Sequence, residues 1–146
     1  MIKGKFKMFV DVVDHNGQCL KIDARRVLRM RPAVLAGEPH GCTFIDYVSG
    51  GVFARGDLAQ TQRLFVRYVR LAALHTPNMA PLLINVDAIA ALMGPDPDYA
   101  QANSIAVAAV GFENQNDPAR NRIPLMETVT EAQLALEGAA TGPALA

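Results

Sequence analysis

The sequence predicts a mainly β protein of the α+β class, formed by two tandem antiparallel β-modules, each with about four strands and a short terminal helix. One observation is a degenerate repeat, since LKIDARRVLRMR at Leu20–Arg31 is followed later by the similar LLINVDAIAALMG at Leu82–Gly94. Aligned on Ile22 and Ile84, both segments follow the pattern I-[DN]-x-x-x-[VI]-x-x-[ML]. The other observation is that short alternating or β-branched segments are separated by clusters of Gly, Pro, Asn and Asp, which is typical of strands joined by turns.

A length of 146 residues accommodates two small modules that share an interface to make up for thin individual cores. We expect a basic module one at residues 1–64, an acidic module two at residues 65–137 and a flexible Ala/Gly tail at residues 138–146. Hydrophobic residues make up 51% of the chain and charged residues 19%, which is typical of a globular protein. No segment approaches the roughly 18 apolar residues of a membrane span, and two cysteines are too few for a disulfide framework. A cytoplasmic location is therefore expected, or the virion if the protein is phage-encoded.

The formal net charge of zero conceals an uneven distribution of charge along the chain. Residues 1–70 hold 12 Lys and Arg against 6 Asp and Glu, a balance of +6, whereas residues 71–146 hold 2 against 8, a balance of −6. This asymmetry indicates an anionic partner for the basic half, attraction between the halves, or head-to-tail contact between copies. A drift in composition between modules is the alternative without functional meaning.

Module one is expected to begin with a hairpin whose first strand covers residues 5–14. A three-residue loop at residues 15–17, with Gly17 in the left-handed conformation, aligns the apolar faces of the two strands. The pairs that result are Val10 with Ile22, Asp11 with Lys21 and Val12 with Leu20. A two-residue Asn-Gly loop would shift the register and place Asp11 opposite Ile22.

The remaining elements follow from strand-like segments, turn residues and helix caps. In module one we expect a second strand from Cys19 that is interrupted near residues 23–26 and resumes at 27–31. Strands at 42–48 and 52–55 follow around a tight turn at 49–51, and then a helix at 57–64 capped by Asp57. Helical spacing continues through Phe65, Tyr68 and Val69, but the alternation of residues 65–71 favours a strand there. In module two we expect strands at 65–71, 82–93 (interrupted), 104–111 and 123–126, a turn at 76–78, and a helix at 128–136 in which Thr128 and Glu131 have capping-box spacing.

This arrangement resembles the small FlbD-like β-modules found in flagellar operons and in many phage-borne hypothetical proteins. Module two carries the likeness in INVD from Ile84 and in METVTE from Met126, which begins the pattern E-[ST]-V-x-E-x-x-x-x-L. Module one keeps Ile22-Asp23 but has RGDL from Arg55 in place of the second motif. The resemblance implies a compact β-sheet with a terminal helix and a regulatory or assembly role, and it transfers no active site.

Metal binding is one chemical hypothesis that the sequence raises. His15 and Cys19, with His40 and Cys42, could supply four zinc ligands, but their spacing is not that of a zinc site. Both cysteines stand at strand starts, where a small apolar residue packs in the core. We therefore expect no metal and no cofactor.

Catalytic hypotheses find little support in the motifs. The chain lacks a G-x-S-x-G elbow, and His75 has no identifiable acid partner. Gly50-Gly51 precedes a strand instead of opening a helix, so it is not a phosphate loop. Asp96 and Asp98 beside Tyr99 could bind a cation, although a Pro-rich loop of this kind is typical of a solvated turn. We expect no enzymatic activity.

A basic face on the first strands of module one is the most informative functional feature. Antiparallel pairing is expected to gather these residues on one side of the sheet, with Arg29 and Arg31 adjacent on its solvent face. The face consists of Lys5, Lys7, Lys21, Arg25, Arg26, Arg29 and Arg31. Such a face suits an acidic protein surface, including another copy of the chain, and also suits nucleic acid, although Phe9 is the only aromatic residue placed to stack on bases.

These observations predict a non-enzymatic protein-interaction or assembly protein. An oligomerising structural component, such as a phage virion accessory or decoration protein, is the leading hypothesis. A small nucleic-acid-binding regulator that uses the basic face of module one is the alternative.

Overall fold

The fold is mainly β, with antiparallel sheets and two α-helices, as the sequence predicts. The computed structural model describes residues 8–48, 50–114 and 117–140. The first half contains β1 (Phe9–Val13), β2 (Cys19–Asp23), β3 (Val27–Pro32), β4 (Cys42–Tyr47), β5 (Gly50–Arg55) and α1 (Leu58–Phe65). The second half contains β6 (Leu71–His75), β7 (Pro81–Asn85), β8 (Ile89–Met93), β9 (Ser104–Ala108), β10 (Arg122–Leu125) and α2 (Val129–Ala140).

The first hairpin has the register that the sequence predicts. Val10 pairs with Ile22, and Val12 pairs with Leu20. Gly17 has φ 88°, a left-handed conformation that glycine adopts without steric cost. Asp14 closes the loop, since its backbone N–H donates to the carbonyl of Gln18 at 2.8 Å and its carboxylate accepts the Gln18 N–H at 2.8 Å.

The predicted interruptions of the two repeated strands are confirmed as short 3-10 helices at Ala24–Arg26 and Val86–Ala88. The side chain of Asp23 caps the first of them by accepting the N–H of Arg25, and Asn85 caps the second by accepting the N–H of Asp87. These short polar side chains offer the backbone a local partner in place of the strand ladder, so the strand breaks at the same point in each half.

The two halves are joined within one sheet. A five-stranded sheet has the order β5-β4-β3-β7-β6, and β3 pairs antiparallel with β7 through Arg29 opposite Ile84 and Met30 opposite Leu83. The other sheets are the β1-β2 hairpin and the three-stranded order β10-β9-β8. The central sheet therefore takes strands from both halves.

The described residues form two hydrophobic cores, and each core takes a leucine from the opposite half. The first core includes Phe65 and Met30 from the first half together with Leu83 from β7. The second core includes Ile84 and its neighbours together with Leu28 from β3. A register irregularity between Val27 and Arg29 leaves Leu28 without a partner on β4, which allows its side chain to enter the second core.

Both predicted helix caps are confirmed. The carboxylate of Asp57 accepts the backbone N–H of Gln60 at 2.8 Å, and Oε1 of Gln60 accepts the backbone N–H of Asp57 at 2.8 Å. Thr128 and Glu131 form the same reciprocal pair at the start of α2. Each box satisfies two backbone N–H groups that have no partner inside the helix.

The predicted strand at residues 65–71 is wrong. Helix α1 continues through Phe65, turns follow, and β6 begins at Leu71. Thr61, Phe65 and Val69 are 1%, 0% and 7% exposed, so burial recurs every four residues along this segment. The helical period decides the structure here because it places Phe65 and Val69 together in the first core.

Other boundaries also differ from the prediction. Gly50 and Gly51, expected in a turn, belong to β5 and pair with Tyr47 and Asp46. A Cβ atom at Gly51 would overlap the ring of Phe44, so a larger residue there would have to displace that ring. Helix α2 extends to Ala140 and so includes the start of the expected flexible tail, whereas residues 1–7, 49 and 141–146 lie outside the described residues. Neither described α-helix has the length and apolar content needed to traverse a bilayer.

Candidate functional site: a cleft between the halves

A cleft of about 260 Å³ lies where the two halves meet. Its walls come from the end of β3 and the loop after it, from the turn between β6 and β7, and from β10. Four prolines, Pro32, Pro77, Pro81 and Pro124, make much of the wall rigid and apolar. The cleft thus combines segments that are far apart in the sequence.

An apolar rim borders this cleft and consists of Val34, Leu35 and Met79. Val34 is 71% exposed, Leu35 is 55% exposed, and both line the cleft. Met79 is 69% exposed and lies between the lining residues Asn78 and Ala80, in a turn where its φ of 69° is left-handed. Exposed apolar side chains that border one cleft are typical of an interaction surface.

Arg29 lies at the cleft in an ion pair with a buried carboxylate. Its Nε donates to Oδ2 of Asp46 at 3.1 Å, and Asp46 is 1% exposed. Arg120, which belongs to a 3-10 helix in the second half, donates from Nη2 to Oδ1 of the same carboxylate. Two guanidinium groups share one carboxylate, so this cluster keeps one unit of positive charge.

The guanidinium of Arg29 retains free donors. Burial lowers the pKa of Arg29 below its ordinary value, and Asp46 opposes that effect. An arginine nevertheless stays protonated in a protein. Among the described residues only its Nε has a hydrogen-bond partner, and the side chain is 21% exposed where it lines the cleft. Both Nη groups are therefore available to an anionic group that enters.

Arg31, the second arginine of the cleft, is already neutralised. Its Nη1 and Nη2 donate to Oε1 and Oε2 of Glu38 at 2.8 and 2.7 Å, and its guanidinium lies 4.8 Å from the centre of the Phe44 ring. Oε1 of Glu38 also accepts the N–H of Leu35 at 3.0 Å. The Arg31–Glu38 pair thus holds the loop that carries Val34 and Leu35.

The structure divides the residues predicted to form one basic face between two places, since Lys21 and Arg26 line one groove and Arg29 and Arg31 line the cleft. Lys21 pairs with Asp11 at 2.7 Å on the β1-β2 hairpin, and Arg25 pairs with Asp23 at 3.3 Å. Arg26 is exposed and lines a second groove beside Tyr47. Arg29 and Arg31 lie in the cleft instead of on an open solvent face, and Lys5 and Lys7 lie outside the described residues.

The prediction that His75 lacks an acid partner is wrong. Its Nδ1 lies 2.8 Å from Oε2 of Glu127, and its backbone N–H donates to Oε1 of the same residue at 3.0 Å. The Met126 N–H donates to the His75 carbonyl at 3.0 Å. These contacts fasten β6 to the segment before α2. The residues are 52 positions apart, and no motif in the sequence relates them.

The two cysteines have different environments. Cys42 is buried, as expected, whereas Cys19 is exposed and the prediction that it packs in the core is wrong. Within the described ranges, no three His, Cys, Asp or Glu side chains are grouped in a way that could hold a metal ion. Asp96 accepts the N–H of Asp98 at 2.9 Å and caps a 3-10 helix at Pro97–Tyr99.

Arg120 is the site residue that the sequence does not reveal. It lies in a polar loop, 74 residues from the carboxylate that it contacts.

No protein-family model matches the chain, and no curated protein or solved structure is significantly similar to it.

Proposed function

We propose that this chain is a non-enzymatic protein-interaction protein that acts in assembly by holding part of a protein partner in the cleft between its halves. The observation that carries this proposal is that the exposed Val34 and Leu35 line the same cleft as Arg29, whose Nη groups have no hydrogen-bond partner among the described residues. Pockets for small molecules usually enclose about 300–1,000 Å³. A cleft of about 260 Å³ suits one or two side chains of a partner better than a whole small ligand.

The chemistry of the cleft favours a partner that is apolar and acidic. Apolar side chains of the partner would cover Val34 and Leu35, and a carboxylate would accept hydrogen bonds from the Nη groups of Arg29. An arginine–carboxylate contact is charge-assisted and directional, so it sets register in addition to contributing affinity. The excess positive charge of the Arg29–Asp46–Arg120 cluster also favours a negatively charged partner.

The proposal includes a tandem origin for the two halves, as copies of one FlbD-like module. Both halves share the order of two strands, a 3-10 helix, three strands and an α-helix, and the second half has additional 3-10 helices at Pro97–Tyr99 and Pro118–Asn121 between its last three strands. Asp23 and Asn85 cap the 3-10 helices at equivalent positions. An oligomerising structural component, such as a virion accessory or decoration protein, is the role that this organisation favours.

Nucleic-acid binding has weaker support as an alternative. Lys21, Arg25, Arg29 and Arg31 each pair with a carboxylate of the chain. A phosphate backbone would have to compete with those carboxylates, which reduces the gain from counterion release.

Selection from a random 12-residue peptide library on the immobilised protein tests the proposed function. The Val34→Asp variant serves as the counter-target, because Val34 is exposed and its replacement changes the rim without opening the core. Val110→Asp is the matched control, since Val110 is 90% exposed and does not line the cleft. We expect enriched peptides that combine aliphatic residues with Asp or Glu, bind the Val110→Asp variant normally and bind the Val34→Asp variant at least about tenfold more weakly.

Enrichment that is equal on the Val34→Asp protein, or no enrichment at all, would overturn the proposal. A gel-shift titration with a 12-nucleotide single strand and a 12-base-pair duplex at low salt addresses the alternative. A shift that weakens steeply with salt would favour nucleic-acid binding over the proposed function.

A further inference from the structure

We infer that the cleft receives the outer face of helix α2 from a second copy of this chain, in a head-to-tail contact. This inference rests on the proposed function, because it names the partner of the same cleft. The acidic outer face consists of Glu131, Leu134 and Glu137, and all three are exposed. Leu134 is 64% exposed on a helix whose other face packs against the second core.

The inner face of α2 is occupied within its own chain. Ala132 is fully buried in the second core, and Ala135 and Leu136 pack against that core. The helix lies mainly on β6, with further contacts to β8 and β9. Leu134 therefore lies on the side of the helix away from the core and is open to a second copy of the chain.

The outer face of α2 carries the chemistry that the cleft requires. Glu131 and Glu137 stand three residues before and three residues after Leu134, so both carboxylates flank the leucine on one side of the helix. Each carboxylate keeps accepting capacity, since Glu131 uses Oε1 for the Thr128 cap and Glu137 uses Oε2 for Gln133. Leu134 matches the apolar rim, and a flanking carboxylate matches the free Nη groups of Arg29.

The distribution of charge along the chain agrees with this pairing. The cleft arginines belong to the half with a balance of +6, and α2 belongs to the half with a balance of −6. A symmetric contact of cleft with cleft would oppose like charges, whereas a contact of cleft with α2 opposes unlike charges. Because the two surfaces differ, the contact is heterologous, and repetition produces a ring or a filament.

Complementation between two variants tests the inference by sedimentation velocity. Val34→Asp disables the cleft, Leu134→Asp disables the helix face, and Val110→Asp is the control. At low salt we expect the wild-type chain and the control to form species larger than a dimer, and each disabled variant alone to be monomeric. An equimolar mixture of the two disabled variants retains one intact cleft and one intact helix face, so it should form dimers and nothing larger.

The mixture also guards against misfolding, since an unfolded variant could not restore the dimer; far-UV circular dichroism of each variant checks the fold directly. High salt should weaken the mixed dimer by roughly three- to tenfold, because the carboxylate contacts lie near the rim. A monomeric wild-type chain at high micromolar concentration, a monomeric mixture, or wild-type assembly by the Leu134→Asp variant would each overturn the inference. If the peptide selection still yields acidic aliphatic ligands in that case, the proposed function stands and the partner is a different protein.

Discussion

Asn85 joins the two halves of the molecule through its buried side chain, whose Nδ2 donates to the carbonyl oxygen of Val27 at 2.9 Å. Asn85 is 1% exposed and Val27 is 0% exposed, although 58 residues separate them. The Oδ1 of Asn85 accepts the N–H of Asp87 and caps the 3-10 helix after β7. One side chain therefore both ends a strand and anchors it to the other half.

Replacing Asn85 by Ala should lower the free energy of unfolding by about 1–3 kcal/mol, because the carbonyl of Val27 is left buried without its donor. Asp23→Ala is the matched control, since Asp23 caps the equivalent 3-10 helix without bonding to the other half. Urea denaturation of both variants provides the measurement. A loss for Asp23→Ala as large as that for Asn85→Ala would show that the bond between the halves adds nothing.

Replacing Asp46 by Asn should be among the most damaging polar substitutions in the chain. The change leaves Arg29 and Arg120 facing each other without the carboxylate between them, and removing one partner of a buried ion pair costs about 3–5 kcal/mol. The exposed Lys21–Asp11 pair offers a control, because Asp11→Asn should cost at most about 1 kcal/mol. Chemical denaturation at neutral pH compares them, and similar losses would contradict the role assigned to the buried cluster.

The Glu38–Arg31 pair should make the stability of the loop after β3, which carries Val34 and Leu35, depend on pH. The hydrogen bond from Arg31 lowers the pKa of Glu38 below its ordinary 4.5 in the folded state. Its contribution to stability is therefore fully present above the unfolded pKa and is lost as pH falls through the lower, folded value. The difference in urea midpoint between the wild-type chain and Glu38→Gln should be largest near pH 7 and should shrink below about pH 4.

Protonation of Glu38 should also loosen the cleft wall, since its carboxylate accepts the backbone N–H of Leu35. Asp11→Asn serves again as the control, because Asp11 belongs to an exposed ion pair away from the cleft. A midpoint difference for Glu38→Gln that stays constant from pH 7 to pH 3 would contradict this assignment.

Replacing Gly51 by Ala should destabilise the fold by about 1–3 kcal/mol, because the added Cβ would overlap the Phe44 ring and lie 3.2 Å from Nη2 of Arg120. Gly94→Ala is the control, since a Cβ there meets nothing within 4 Å. Thermal unfolding followed by circular dichroism distinguishes them. Equal melting temperatures for the two variants would mean that the Phe44 ring moves aside without cost.

The sequence by itself determined the features that depend on neighbouring residues. The register of the first hairpin follows from the loop length and from the parity that aligns Val10 with Ile22. The helix starts at Asp57 and Thr128 follow from capping boxes that close over three residues. Short-range bonds of this kind involve a small loss of chain entropy, so local residue types decide them.

The segment at residues 65–71 shows where local information fails. Its residues fit a strand by alternation and a helix by four-residue spacing, and the choice depends on Phe65 and Val69 reaching the same core. A segment whose apolar residues fit both the helical and the strand period does not reveal which part of the protein will pack against it.

Only the tertiary structure decided how the halves combine and where the cleft lies. The pairing of β3 with β7, the exchange of Leu28 and Leu83 between the cores, and the contact of Arg120 with Asp46 join residues between 53 and 74 positions apart. The sequence marked Arg29 and Arg31 as basic, but a charge in the sequence does not indicate which carboxylate will lie beside it. Contacts over such separations arise from the packing of whole sheets, because burial of apolar surface is non-directional and only the assembled fold decides which side chains meet.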